Sequence, residues 1–230
     1  MLMKPIAHIC SDFKEKFGIP RQSGLVEELE AIIVFETEYR NVDALRCLDG
    51  YSHIWLLWEF SESIRKTWSP TVRPPRLGGN ERVGVFATRS PFRPNPIGLS
   101  AVRLLGIEKH HTDGFILRVA GADLMDGTPI YDIKPYLPHI DSHPEAKGGF
   151  ASEVKDNSLV VQCPSELLEN VEEKKQDVIL ALLANDPRPA YQNDACRIYG
   201  MNFADYEIKF RVEGETLFVQ SIERTLPEGE

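Results

Sequence analysis

Residues 69–100 read SPTVRPPRLGGNERVGVFATRSPFRPNPIGLS. Six prolines (Pro70, Pro74, Pro75, Pro91, Pro94, Pro96) punctuate the stretch. Each locks φ and removes a backbone donor, so neither a long helix nor a central strand runs through it. Between them Val83-Gly84-Val85-Phe86-Ala87 is short and apolar, and past Pro96 the chain enters Ile97 and the apolar run 99–107. The reading is therefore strand, stiff loop, strand, with no room for a helical crossover.

The pattern extends outward. Segments 6–10, 31–36, 53–60, 83–88, 100–108, 114–120 and 129–133 are rich in Val, Ile, Phe or Trp and are separated by Gly, Pro and Asp turns, which predicts strands. A helix is expected over 42–48 with Asn41 as its N-cap. Many short strands without alternating long helices indicate a β-barrel or sandwich and exclude a parallel doubly wound sheet. Residues 139–157 are polar and carry Pro144, Gly148 and Gly149, as a linker does. Beyond them a strand is expected at 158–163, and one helix from Ser165 as N-cap to about residue 184. Strands at 203–212 and 216–222 then turn around Glu213-Gly214-Glu215. The predicted organisation is a mainly β N-terminal barrel domain over 1–138, a linker over 139–157 and a small α+β domain over 158–230.

Charge is distributed unevenly. The 230-residue chain has a net charge of −9, yet 70–100 holds five arginines (Arg73, Arg76, Arg82, Arg89, Arg93), no lysine and one acid, Glu81. Residues 151–230 carry 8 basic and 16 acidic side chains. Arginine is the residue for planar, bidentate recognition of phosphate or carboxylate, so the block predicts an anionic partner. Four cysteines (Cys10, Cys47, Cys163, Cys196) without CxxC spacing, and no long apolar run at the start, fit a reduced, cytoplasmic protein without a membrane span.

Other residues have chemistry to offer. Gln22 and Ser23 in Pro20-Arg21-Gln22-Ser23-Gly24 present hydrogen-bonding groups, and Gly24 allows close approach to the backbone. Leu124-Met125-Asp126-Gly127-Thr128-Pro129 reads as a turn between strands, with the Asp126 carboxylate available to a ligand. In 51–60 Trp55 and Trp58 should face opposite sides, His53 is expected in the core, and Ser61-Glu62 follows at the strand's mouth. His139 and His143 bracket Asp141 without further ligands, so no metal is expected. GxGxxG, GxxxxGK[ST], GxSxG and HExxH motifs are absent.

The ordered set PRQSG (20–24), YSHIWLLWEF (51–60), RPPRLGG (73–79), GVFATRSPFRPNPIGLS (84–100), DLMDGTPIYDIKPYLP (123–138) and DPRPAY (186–191) resembles the TsaA-like family, and within it the bacterial TrmO (YaeB) tRNA methyltransferases. The resemblance implies a barrel that binds S-adenosyl-L-methionine and transfers its methyl group to N6 of threonylcarbamoyladenosine beside the tRNA anticodon, in a homodimer. It implies donor contacts from Gln22, Ser23, Gly24, Ser61, Glu62, Arg93, Leu124, Asp126, Gly127 and Thr128. Arg73, Arg76, Arg89, Asn95, Arg188 and Tyr191 are assigned to tRNA, and Asp126 is the carboxylate to test as base. Two other functions fit the composition: a non-catalytic RNA-binding barrel and a small-molecule methyltransferase with the same donor. A chain ending near Pro138 is expected to keep donor binding and lose tRNA methylation.

Overall fold

The structure is a computed structural model that describes residues 3–74, 77, 81–152, 158–188 and 194–225. Arg76 and Tyr191 lie outside the described residues.

The first body is antiparallel β. Its strands are β1 (Ala7–Cys10), β2 (Glu30–Phe35), β3 (His53–Glu59), β4 (Thr71–Val72), β5 (Val83–Gly84), β6 (Ile97–His110), β7 (Gly114–Ala120) and β8 (Pro129–Pro135). Six of them hydrogen-bond in the order β1-β2-β7-β6-β3-β8, and β8 returns to β1, so the sheet closes into a barrel with no free edge. Alternation fills it: Ile54, Leu56 and Trp58 of β3 point inward and join Ile9, Ile33, Val102, Leu117, Val119 and Ile130. Trp55, on the other face of β3, donates its Nε1–H to Asp141 Oδ2 at 3.0 Å. That residue ends α1 (Pro138–Asp141).

Three local expectations change. Residues 83–88 are not one strand. Val85 is buried and donates its N–H to Pro70 O at 3.0 Å, and the Thr88 N–H returns to Val85 O at 3.1 Å, which coils Val85–Ala87 into a 3-10 turn. The 42–48 helix is a 3-10 turn, Val42–Leu45, capped by Asn41 as expected through Asp43 N–H at 3.0 Å. Arg46 ends it, and Cys47, at φ 66°, starts a second 3-10 turn over Leu48–Gly50. His53 is exposed rather than in the core, beside Ser52 Oγ at 3.0 Å.

The second body is a four-stranded sheet, β10-β11-β12-β9, with β9 (Val160–Gln162) parallel to β12. Its other strands are β10 (Tyr199–Phe203), β11 (Tyr206–Glu213) and β12 (Thr216–Arg224). The predicted single helix is two, α2 (Ser165–Leu168) and α3 (Glu173–Ala184). Val171 is buried between them, and the Gln176 amide donates to Leu168 O and Val171 O, both at 3.0 Å, satisfying the carbonyls the break exposes. Pro164, not Ser165, is the N-cap of α2, and it forms no side-chain capping bond. The predicted strand 203–212 is also split. Ala204 turns at φ 51° because its N–H reaches Asp12 O at 2.9 Å.

That last bond belongs to a larger feature. The segment between β1 and β2 leaves the barrel, and its Phe13, Val26 and Leu29 are buried in the core of the second sheet. Lys175 Nζ meets Asp12 Oδ2 at 2.5 Å, and the Asn185 amide donates to Leu25 O at 3.3 Å. A Cβ at Gly18 would lie 2.7 Å from Met201. A chain ending near Pro138 loses this support. It exposes three apolar side chains worth about 1.5–3 kcal/mol each. In place of the retained donor binding expected from sequence, we therefore expect the truncated chain to lose ordered 11–29 backbone, measured by amide hydrogen exchange, together with donor affinity. Protection equal to that of the full chain would contradict this.

Trp58 fixes the barrel's other constraint. A Cβ built on Gly98 would sit 2.2 Å from the Trp58 indole. We expect Gly98→Ala to destabilise the protein by about 1–3 kcal/mol in urea unfolding, the usual range for overpacking a core.

Candidate active site

The segment carrying Gln22–Gly24 crosses one end of the barrel and meets the other polar turns there. Gly24 N–H donates to Gly121 O at 2.9 Å. A Cβ on Gly121 would come within 3.3 Å of the Gly24 backbone, so the crossing requires glycine as well as its φ of 75°. The Gln22 amide oxygen accepts from the Arg89 guanidinium. Arg93 donates to Thr88 O at 3.2 Å, stiffening the same loop. Lys16 Nζ donates to Glu62 O at 2.6 Å, which brings Ser61-Glu62 to this end.

The 123–128 turn is anchored from the same segment. Ser11 Oγ–H donates to Leu124 O at 3.0 Å, and Ser11 N–H donates to Asp126 Oδ1 at 3.0 Å. Lys14 Nζ donates to Asp126 Oδ2 at 2.6 Å, and this bond raises the ammonium's pKa. Both Asp126 oxygens are therefore engaged in holding chain to chain. Gly127, at φ 74°, and buried Thr128 complete the turn, with Thr128 Oγ1–H donating to Met125 O at 2.6 Å.

Sequence reasoning missed Asp123. Its Oδ1 accepts Ser100 Oγ–H at 2.6 Å, and the same Ser100 oxygen accepts Trp58 Nε1–H at 2.9 Å. Burial pushes the Asp123 carboxyl above the usual aspartate range. The Ser100 hydroxyl, the backbone N–H groups of Asp123 and Ser23, and the charge of Arg89 oppose that shift. Asp123 thus joins Ser23, Arg89 and the barrel interior at one point. The available signal was its place at the head of the DLMDGT motif, three residues before the more conspicuous Asp-Gly turn.

The RNA-assigned residues divide. Arg73 and Asn95 are exposed, and Arg89 is exposed beside Gln22. Arg188 is buried. Its Nε and Nη2 donate to the two oxygens of Asp186, at 2.8 and 2.9 Å, so its guanidinium is spent inside its own loop. The carbonyl oxygens of Asp186 and Arg188 accept from Arg21, at 3.3 and 3.1 Å. The 186–188 loop therefore reaches the Gln22–Gly24 turn, as a brace. Among the described residues no cluster of three or more His, Cys, Asp or Glu side chains is arranged to hold a metal ion. No helix among them is long and apolar enough to cross a membrane.

The candidate site is therefore one end of a closed barrel that gathers a polar turn, an arginine and a buried carboxylate and is braced by a second sheet. Residues 8–142 match the family model of the tRNA-methyltransferase O N-terminal domain, and residues 156–225 match that of the TrmO C-terminal domain. The chain belongs to the TrmO family. It is 42% identical over 215 residues to the tRNA (adenine(37)-N6)-methyltransferase of Escherichia coli (strain K12), covering 90% of this chain and 91% of that protein. A Pseudomonas aeruginosa relative, 39% identical over 214 residues and 90% of each chain, is named for S-adenosylmethionine-dependent methyl transfer. A crystal structure of TrmO from the same species superposes with a TM-score of 0.78 at 32% identity, over 97% of both chains.

The Asp123 environment predicts a pH signature. A carboxyl whose pKa is raised on folding contributes stability below the unfolded value and loses it as pH rises through the folded one. We expect the unfolding free energy of Asp123→Asn minus that of the native chain to grow more positive between pH 4 and pH 7. A difference that is flat or falls over that window would refute a raised Asp123.

Proposed function

We propose that this chain is a tRNA methyltransferase that uses S-adenosylmethionine to methylate N6 of adenosine 37, next to the anticodon. The observation that carries the reading is the junction of Gln22, Ser23, Arg89 and Asp123 at the barrel end, in a chain of the TrmO family. We further propose that the adenosine carries a threonylcarbamoyl group, that the active form is a cytoplasmic homodimer and that the division into 1–138, 139–157 and 158–230 is functional.

The residues present suit the donor. Gly24 and Gly127 both have positive φ, and among the described residues no atom beyond their chain neighbours lies within 4 Å of where a Cβ would sit, so backbone is open to a ligand at two points of the rim. Carboxylates (Asp123, Glu62) and arginines (Arg89, Arg93) match a molecule carrying both positive groups and a carboxylate. Gln22, Ser23, Gly24, Ser61, Glu62, Arg93, Leu124, Asp126, Gly127 and Thr128 would hold it, with Asp126 acting through its Lys14 and Ser11 anchor. When bound, S-adenosylmethionine supplies a methyl group on a sulfonium, activated for displacement.

The protein's own contribution is then chiefly positional. Arg89 is exposed on the rim and tethered through Gln22, which sets its guanidinium to grip the threonyl carboxylate or a phosphate. Asp123 holds the Ser23 N–H and faces Arg89, so it positions the turn that carries Gln22–Gly24. Its carboxyl, raised above the usual aspartate range by burial, is also our candidate proton acceptor for the substrate's N–H. Arg73 and Asn95 extend the polar rim. Exposed Ile97 and Leu99 on the outer face of β6, with Leu57 opposite Leu99 on β3, supply an apolar surface for a second copy.

Titration calorimetry with S-adenosylmethionine and nucleoside mass spectrometry of tRNA bearing threonylcarbamoyladenosine test this. The native chain should bind the donor and add one methyl group at N6. Arg89→Ala should lower kcat/KM about 10- to 100-fold, the loss of one charge-assisted hydrogen bond, with little change in melting temperature. Absence of donor binding at millimolar concentration would overturn the reading.

A further inference from the structure

We propose that Trp68 and Phe86 form a stacking platform for an unpaired RNA base other than the reacting adenosine, which rests on the tRNA reading above. Both rings are unusually open for their size: Trp68 is 52% exposed and Phe86 74%. They lie on one another with centroids 6.3 Å apart and planes 29° from parallel. Two large aromatic rings displayed together on the surface mark an interaction site.

The backbone builds the pair deliberately. Thr71 pairs with Gly84 and Val72 with Val83, which makes a two-stranded ribbon of β4 and β5. Trp68 precedes this ribbon and Phe86 follows it. Ser69 Oγ–H donates to Thr71 O at 2.7 Å, and Val85 N–H donates to Pro70 O at 3.0 Å, closing the ribbon's base between the two rings. Val85 is buried, so its neighbour Phe86 is turned outward by a fixed backbone.

The surroundings select nucleic acid over an apolar partner. Among the described residues of 61–100, Arg65, Lys66, Arg73, Arg82, Arg89 and Arg93 face only two acids, Glu62 and Glu81, in a chain of net charge −9. Arg82 Nη1 donates to Thr71 Oγ1 at 3.2 Å, which fixes a guanidinium on the ribbon itself. Arg65 lies over the Phe92 ring, 3.6 Å from its centroid, so a second cation is held three residues from Trp68 in the chain. Base faces stack on such rings without regard to sequence while arginines track the backbone. Phe86 is three residues from Arg89, so their Cα atoms lie within about 11 Å. That is about three stacked bases at ~3.4 Å. A loop nucleotide on the platform is thus within reach of one at the Arg89 rim.

The test uses the full-length protein and a 17-nucleotide RNA hairpin whose seven-base loop has the anticodon-loop sequence of a substrate tRNA. Trp68→Ala and Phe86→Ala should each weaken hairpin binding about 5- to 150-fold, the range for losing one base–aromatic stack. Trp68→Phe should recover most of that loss. A blunt RNA duplex without a loop should bind all four proteins alike, and S-adenosylmethionine affinity and sedimentation mass should not change. Equal hairpin affinity in the alanine variants, with the native chain still methylating tRNA, would overturn the platform and leave the enzymatic reading standing. A lower sedimentation mass in the alanine variants would overturn it in favour of a second copy of the chain as the occupant. Failure of the native chain both to bind the hairpin and to methylate tRNA would remove both readings together, and failure to bind the hairpin alone would overturn the platform.

Discussion

Phe13, Val26 and Leu29 set the constraint on which the site depends. They are carried by the segment between the first two barrel strands, yet they are buried among Ile179, Leu182, Met201, Phe203 and Phe210 of the second sheet. Gln22, Ser23 and Gly24 lie between Phe13 and Val26 in the chain. They are therefore suspended between two cores, held on the barrel side by the Gly24–Gly121 bond and on the other by Arg21 on the 186–188 carbonyls. A free loop of that length would lose conformational entropy on binding a ligand. Here the ordering is completed by folding, so binding energy is left for orientation.

The charges obey the same economy of position. Asp123 is costly to bury as an anion, and the cost is moderated by one hydroxyl, two backbone N–H groups and a nearby arginine. Ser100 donates to it while its oxygen accepts the Trp58 indole N–H, and Trp58 fits only because residue 98 is glycine. Indole, hydroxyl and carboxylate form one chain from the barrel interior to the rim. Arg188 is the contrasting case. Its bidentate pair with Asp186 takes the donors that sequence reading assigned to RNA, and the residue acts through the carbonyls it fixes for Arg21.

What the sequence made legible follows period and turn chemistry. Alternation in 53–59 put Trp55 and Trp58 on opposite faces, though it did not show that Trp58's face is the inner one and His53's the outer, and strand 114–120 was read to the residue, because flanking glycines with positive φ and β-branched residues act locally. The errors arise where a distant group decides. Ala-Asp at 204–205 carries no turn signal, and the chain turns there because Asp12, some 190 positions away, takes the Ala204 N–H. The break after Leu168 depends on the Gln176 side chain and on a buried Val171. Asp126 drew attention as the carboxylate to test as base because an Asp-Gly turn is conspicuous, whereas Asp123 went unread. That Lys14 and Ser11 occupy it, while Asp123 faces Arg89, is tertiary information that no local pattern encodes.

The uneven charge now has a spatial meaning. Residues 151–230 hold twice as many acids as bases, and they brace the same turn that the arginine-rich block borders. A polyanion approaching this molecule meets attraction at the rim and repulsion from the second sheet. The acidic body therefore narrows the orientations in which RNA can settle, and it disfavours duplex that lies across both bodies. On the proposed reading, repulsion of that kind costs affinity everywhere except where the arginines and the Trp68–Phe86 platform meet a splayed loop. An enzyme acting on one base of one loop gains selectivity from that balance, since backbone charge alone would hold any RNA.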